Sequence, residues 1–440
     1  MNLRTLFLAA AAASPLPSAA QSIITVTSDS GASNVLDACV LRDAITYANS
    51  GVPTGGCGAA TTIAAGSHAS APNYNPGNVI ELPPQSTITL TAVDDLDRLV
   101  GLPVVSSPLI VYGNGSTIRR DTTFDCVIDG QQTPGEIGLF YNDSNLELHS
   151  LTLEGGCADA SLGGNGKGGA IYNAGQLLLE AVTLRGNQAY FDGGGLHSAG
   201  YVAGAGKVVM SRVLIDANSA RIGGGVYLEG GTASMVARDV AFVDNSADQY
   251  FAGGGLMASV GTQAELVNAT FARNAAGSGS ALQADGVVTL SFTTIAESDT
   301  LSGSGAALQV SPNGPLQVLT VRNTLLAGNA GGVGNCQFHT GNVVDAVANL
   351  SSDASCNGFA LQDVAVTIGA FVDSGGYAST YPLLPASPAV DAVTACTDTH
   401  DDPVTTDQRG AARPQGAACD IGAFELPDRV FENGFEIIAN

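Results

Sequence analysis

A seven-residue pattern recurs along the middle of this chain: any residue, a small or β-branched one, any, a large apolar one, two variable positions, then Asn. It reads AVTLRGN (181–187), RVLIDAN (212–218), DVAFVDN (239–245), NATFARN (268–274) and NTLLAGN (323–329), with degenerate copies SLTLEGG (150–156) and FTTIAES (292–298). The copies return about every 29 residues, inside the range of solenoids. A unit this short cannot enclose a core, so each copy must bury its apolar face against the next. Within each copy the alternation has period two, which is the signal of a strand. It places Leu184, Ile215, Phe242, Phe271, Ile295 and Leu326 in one column and Val182, Val213, Val240 and Ala269 in another on the same face.

A second apolar stretch opens in each coil after a run of glycines, as in GGAIYNAG, GGGLHSAG, GGGVYLEG and GGGLMASV, so each coil should hold at least two short strands. The return paths, SARIGGG and SADQYFAGGG, lack the helical periodicity of a leucine-rich repeat, and the copies are too short for propeller blades at roughly 40-residue spacing. The expectation is an all-β chain forming a right-handed parallel β-helix from Asn78 to Asn335, with roughly nine coils at about 4.8 Å each. In it, Asn187, Asn218, Asn245, Asn274 and Asn329 turn the chain and bond to their stacked equivalents. The glycines form a corner where a Cβ would crowd the neighbouring coil or where φ is positive.

The first residues, MNLRTLFLAAAAASPLPSAAQS, read as a secretory signal peptide ending near Ala20. The apolar run Leu6–Ala13 falls short of the roughly 20 residues of a membrane span, and no later segment is long enough. The mature chain is therefore expected to be secreted, extracellular or at the cell surface, without a transmembrane helix. Eight cysteines in an exported chain, none in a C-x-x-C, point to disulfides, with sequence neighbours paired: Cys39 with Cys57, Cys126 with Cys157, Cys336 with Cys356 and Cys396 with Cys419. Acidic residues outnumber basic ones 40 to 16, and Lys167 and Lys207 are the only lysines, which argues against a nucleic-acid partner. An open solenoid end needs a cover, and DACVLRDAITYA supplies a capping helix with Asp37 as N-cap and Leu41, Ala44, Ile45 and Ala48 on its apolar face.

The stretch CVLRDAI (39–45) resembles the element that names the CSLREA-domain proteins, with Val40 in place of Ser and Asp43 in place of Glu. IGAFVDSGGYASTYPLLPASPAVDA (368–392), DQRGAARP (407–414) and CDIGAFE (419–425) are similar to the choice-of-anchor Q domain. The GG[GA]-apolar and F-x-x-N elements resemble the repeats of polymorphic outer membrane proteins, from which the chain departs after Glu425. These resemblances imply a pectin-lyase-like solenoid and an exported address. They imply no catalytic residue. The chain divides accordingly into signal peptide 1–20, CSLREA-like cap 21–77, β-helix 78–335, choice-of-anchor Q-like module 336–426 and tail 427–440.

Two functions compete. One is a surface or extracellular binding, adhesion or display scaffold for a surface or carbohydrate ligand. The alternative is a polysaccharide lyase or glycoside hydrolase on the same fold, although the Gly-His-Gly and Arg-x-Lys elements of a polygalacturonase-like signature are missing. Candidates on the middle coils are Asp192, His197, Lys207, Arg212, Asp216, Arg221 and Asp239. Arg212 and Asp239 occupy one column on successive coils, about 5 Å apart, and read as a surface ion pair; His197 reads as an outward loop residue. Asp398, Asp401 and Asp402 could hold Ca2+ through oxygen ligands, against an acidic turn without metal, and no other cofactor is implied. Asp391, Asp407, Arg409, Arg413 and Glu425 read as internal ion pairs and hydrogen bonds of the terminal module.

Overall fold

A coil closes on itself only if the chain turns the same way at every corner, and left-handed residues supply the turns. The structure, a computed structural model, describes residues 22–27, 38–57, 61–62, 78–131, 133, 135–159, 166–311, 317–338, 343–344 and 348–427. The signal-peptide segment, Asp37 and tail residues 428–440 lie outside these. Each central coil has three strands: one of ten residues, such as Lys207–Asp216 and Ser234–Val243, one of two, such as Ser219–Ala220 and Ser246–Ala247, and one of three or four, such as Val226–Glu229 and Leu256–Ala258. The ten-residue strand bends at its sixth residue, where Ala181, Arg212, Asp239, Asn268 and Phe292 have φ of 52°, 53°, 56°, 54° and 49°. A second corner precedes the Asn column, at Gly186, Ala217, Asp244, Arg273 and Glu297 (φ 53° to 61°). Each non-Gly residue there costs about 1 kcal/mol, which stacking must offset.

The third corner is where glycine is required. Gly253 has φ 76°, and a Cβ on it would come within 2.6 Å of the Met257 Cβ of its own coil. On Gly254 the added atom would press into the Ser280 carbonyl, and on Gly255 it would stand 2.6 Å from the Ala281 carbonyl, both on the next coil. Consecutive glycines let two coils approach to hydrogen-bonding distance at a corner that L side chains would wedge apart.

Stacking the coils produces sheets of 15, 7 and 8 strands among the described residues, parallel except where Thr61–Thr62 pairs antiparallel with Ser22–Thr25. The 8-stranded sheet corresponds to about eight turns, one fewer than the repeat length suggested. Register is kept in step: Leu184 pairs with Ile215, Ile215 with Phe242, Phe242 with Phe271 and Phe271 with Ile295, all fully buried. The Phe242 and Phe271 rings stack at 4.5 Å and 3°. The long sheet extends beyond the repeats, since Ser22–Thr25 pairs in parallel with Asn78–Glu81 and Leu325–Ala327 with Leu350–Ser351.

Helix Leu41–Ser50 lays Leu41, Ala44, Ile45 and Ala48 onto the solenoid core. Its N-cap is Val40, which offers no side-chain cap, so the helix starts three residues later than an Asp37 cap would have it. Tertiary bonds anchor it instead: Arg42 Nε donates to the Gly101 carbonyl at 2.9 Å and Asn49 Nδ2 to Val104 at 2.7 Å. All four disulfides join the sequence neighbours named above, and no free cysteine remains.

Residues 366–426 fold back along the outer face of the ten-residue strands. Thr270 bonds to Gln408, the Ala423 amide donates to Thr294 Oγ1 at 2.9 Å, and Asn268 Nδ2 donates to the Thr406 carbonyl at 2.9 Å. Val267, Phe292 and Leu325 from the strands share an apolar cluster with Leu383, Val404, Ile421 and Phe424. Arg413 is buried between Glu425, 2.7 Å away, and the Phe292 ring, while Arg409 pairs with Asp407 at 2.6 Å and covers Phe424. Asp391 is exposed, and its Oδ1 accepts from the Ala418 amide at 2.9 Å.

The Asn column makes a buried ladder. Asn187, Asn218 and Asn245 each donate Nδ2 to Oδ1 of the next Asn at 2.9 to 3.0 Å, and the same Oδ1 accepts the previous Asn's backbone N–H. Each Nδ2 also donates to a strand carbonyl on the preceding coil, as Asn245 does to Ile215 at 2.8 Å. Ser298 holds the next rung, so Asn329 is separated from the run; its Oδ1 accepts the Ser298 amide at 3.0 Å. Replacing Asn245 by Leu strands the Asn218 donors and the Ile215 carbonyl, and is expected to lower stability by about 3 kcal/mol; an unchanged urea midpoint would refute the ladder's contribution.

Asp420, 2% exposed, accepts from the amides of Asp391 and Leu426 at 2.7 and 2.6 Å. Burial pushes its pKa up to about 6, with Glu425 adding to the rise. A carboxyl raised in the folded state contributes stability that is fully present below its unfolded pKa, near 4, and is lost as pH rises through about 6. Melting of the whole chain should therefore show a term of roughly 1–3 kcal/mol declining between pH 4 and 7. Asp420→Asn should flatten that slope while lowering the midpoint throughout, because an amide can accept only one of the two backbone bonds; a slope unaltered by the substitution counts against the assignment.

Candidate functional site

The short strands of the 8-stranded sheet alternate in and out. Phe140, Ile171, Leu196 and Val226 point to the core, and Tyr141, Tyr172, His197 and Tyr227 form the outward column in one register. Their rings stack along the rod, at 4.6 Å for Tyr141 and Tyr172, 4.9 Å for Tyr172 and His197, and 5.4 Å for His197 and Tyr227. Arg98, from the loop before the first full coil, covers the end of the stack with its guanidinium 4.7 Å from the Tyr141 centroid. It is held there by Asp95 at 3.2 Å and Asp143 at 3.6 Å.

Beside the stack lies a cluster drawn from three coils. Lys167 and Asp192 meet because their backbones pair at the corner before the glycines, and Glu229 ends the strand that carries Tyr227. Lys167 Nζ stands 3.1 Å from Asp192 and 2.8 Å from Glu229. Burial works to lower the Lys167 pKa, but Glu229 and Asp192 outweigh it and hold the ammonium protonated. Contact with His197, then with Lys167 and Tyr201, keeps the Glu229 carboxyl far below the ordinary range despite partial burial. His197 Nε2 lies 3.2 Å from Glu229, and burial lowers the imidazole's pKa while Glu229 acts to raise it.

Asp97, Arg98, Leu99 and Val100 on one side and Tyr201 on the other enclose a cleft of about 500 Å3, floored by Tyr141, Tyr172 and Lys167. Tyr201 stands on a turn that Gly204 (φ 89°) and Gly206 (φ 66°) close. Burial raises the pKa values of Tyr141, Tyr172 and Tyr201, and nearby carboxylates add to the rise, so all three phenols stay protonated as donors.

Of the candidates read from the sequence, Asp192 and His197 come together here. His197 is a strand residue with no exposed surface rather than an outward loop residue, because its two ring neighbours cover both faces. Arg212 does not pair with Asp239; it reaches back to Glu180 at 2.6 Å, and Asp239 instead accepts from Asn268 at 3.0 Å. Both occupy the left-handed bend, but Glu180 takes the guanidinium and Asn268, at the same bend of the next coil, takes the carboxylate. Asp216 pairs with Arg185 at 2.8 Å, Arg221 covers Phe251 at 4.7 Å, and Lys207 opens a ten-residue strand. Asp398, Asp401 and Asp402 do not converge. Asp398 Oδ1 accepts the amides of His400 and Asp402 at 2.8 and 3.1 Å, Asp401 turns to Arg322 at 2.7 Å, and Asp402 is exposed.

Among the described residues two groups have the spacing of metal ligands, Asp192 with His197 and Glu229, and Asp398 with Glu265 and His400. In each a basic side chain takes the place of a cation: Lys167 in the first, and in the second Arg238, 3.6 Å from Asp398 and 3.9 Å from Glu265. Glu229, Arg98 and Tyr201 went unrecognised in the sequence. The aligned segments GGAIYNAG, GGGLHSAG and GGGVYLEG already placed Tyr172, His197 and Tyr227 in one column, and that was the available signal.

No family model matches the chain, and no curated protein matches it. Among solved structures it is similar to the pectate lyase Pel9A, with 14% identity, a TM-score of 0.40, and coverage of 80% of this chain and 89% of that one. It is also similar to the A-module of the Azotobacter vinelandii mannuronan C-5 epimerase AlgE6, with 12% identity, a TM-score of 0.20, and coverage of 62% of this chain and 91% of that one.

Proposed function

We propose that the chain is an exported surface or extracellular binding scaffold, and that its ligand sits in the cleft between residues 97–100 and Tyr201. The observation that carries this reading is the preset state of the cleft's polar groups. Arg98 is fixed by two carboxylates and a ring, and Lys167 by two carboxylates. Groups already immobilised lose little freedom on binding, so contacts made with them appear as affinity. The resemblances to CSLREA-domain and choice-of-anchor Q proteins belong to the same reading. Four disulfides fit an oxidising compartment, and no described helix is long and apolar enough to cross a membrane.

Lys167, Asp192 and Glu229 are already engaged with one another, at 3.1 and 2.8 Å, so the cluster presents a fixed set of polar groups to a ligand. The test is retention of the chain on a panel of cell surfaces and insoluble polysaccharides. Arg98→Ala, at a partly exposed cleft residue, is expected to weaken retention about tenfold, the loss of one charged hydrogen-bonding group. No retention on any surface, or release of unsaturated products or new reducing ends from the polysaccharides, would overturn the reading.

A further inference from the structure

The cleft combines an aromatic wall, fixed hydrogen-bonding groups and an excess of negative charge, and together these restrict the ligand's chemistry. The stacked rings do not offer their faces. Tyr141 lies between Arg98 and Tyr172, and Tyr172 between Tyr141 and His197, so both present ring edges and hydroxyls. Tyr201 differs: it is 64% exposed and has no stacked ring neighbour among the described residues. An apolar ligand face could pack there, as the less polar face of a sugar ring packs on an aromatic. In the lining are the Tyr141 and Tyr172 hydroxyls, Lys167 and the Asp97 carboxylate, with the Asp192 and Glu229 carboxylates against Lys167. That mixture matches a ligand whose groups both donate and accept, which hydroxyls do and carboxylates or ammoniums do not.

Charge settles which sugars fit. The lining itself carries Asp97, Arg98 and Lys167, and the two cations are in turn surrounded by four more carboxylates, Asp95 and Asp143 at Arg98 and Asp192 and Glu229 at Lys167. Both cations are spent on those carboxylates, so a ligand carboxylate would have to displace an existing partner and enter a negative field. The carboxylates' contribution to the raised phenol pKa values of Tyr172 and Tyr201 reports the same field. We infer that the cleft takes a neutral, hydroxyl-rich saccharide, with one ring against Tyr201, and excludes uronates. This inference rests on the binding reading and narrows it to a ligand class.

Calorimetry on the whole chain would use cellohexaose, xylohexaose, mannohexaose and laminarihexaose as neutral probes, oligogalacturonate and oligomannuronate as acidic ones, and a chitosan oligomer as the cationic one. At least one neutral probe should bind, with affinity insensitive to salt. Tyr201→Ala should weaken it about tenfold and Tyr201→Phe much less, because the ring face makes the contact. At a residue this exposed neither change threatens the fold, and an unaltered melting midpoint verifies that. Preferential binding of the acidic or cationic probes overturns the inference while leaving the scaffold reading standing. Neutral binding indifferent to Tyr201→Ala overturns its placement in the cleft. Binding of none of these probes also overturns it, and retention on cell surfaces then decides the broader reading separately.

Discussion

A buried amide that can be satisfied only by its copy on the next coil governs this structure. Asn187, Asn218, Asn245 and Asn274 bond nose to tail with no exposure to water, and each also secures a backbone carbonyl on the coil before it. Slipping one coil by a residue would orphan several buried polar groups and turn every inward side chain outward. Register is therefore fixed at the ladder, and differences in coil length must emerge elsewhere. Between successive Asn residues the chain takes 31, 27 and 29 residues. In the longest of these coils the extra residues form the turn after Leu196–Ala199, and that turn carries Tyr201 to the cleft.

The coil interior was legible because its constraint is periodic. A column of Leu, Ile and Phe at fixed spacing requires only that coils stack, and the register pairs those residues as the spacing implied. The bends were less legible. Ala181, Arg212, Asp239, Asn268 and Phe292 share a left-handed backbone without sharing a residue type, since the stack imposes the conformation and side-chain chemistry does not select it. Arg212 and Asp239 share that column without pairing because each has another partner, Glu180 for the guanidinium and Asn268 for the carboxylate. The candidate site was partly legible. Tyr172, His197 and Tyr227 repeat in frame, whereas Lys167, Asp192 and Glu229 occupy different positions of their coils and meet only because a corner bridge and a strand end lie side by side.

The same economy of positive charge runs through the molecule. With 16 basic against 40 acidic residues, cations serve as clamps at points where carboxylates crowd together. Lys167 sits between Asp192 and Glu229, Arg238 between Asp398 and Glu265, and Arg413 against Glu425 at the root of the terminal module. The clamps differ in consequence. Arg413 is sealed beneath an aromatic ring and fixes the module's fold. Lys167 keeps 19% of its side chain accessible, so the bond network it organises remains within reach of a ligand.

Which outer face can meet a ligand follows from what the terminal module covers. The ten-residue strands would offer the broadest surface, but residues 366–426 bury much of it, with Thr270, Thr294 and Asn268 bonded to the module and Ala241, Ala272 and Ala296 packed against Ala378 and Tyr381. The two-residue strands are too narrow to present a patterned surface. The short strands between the glycine corner and the next turn remain, with their outward rings and a cleft that joins aromatic, cationic and acidic groups. By covering the sheet that holds the coils in register, the module leaves recognition to the face where coil length can vary without disturbing the Asn ladder.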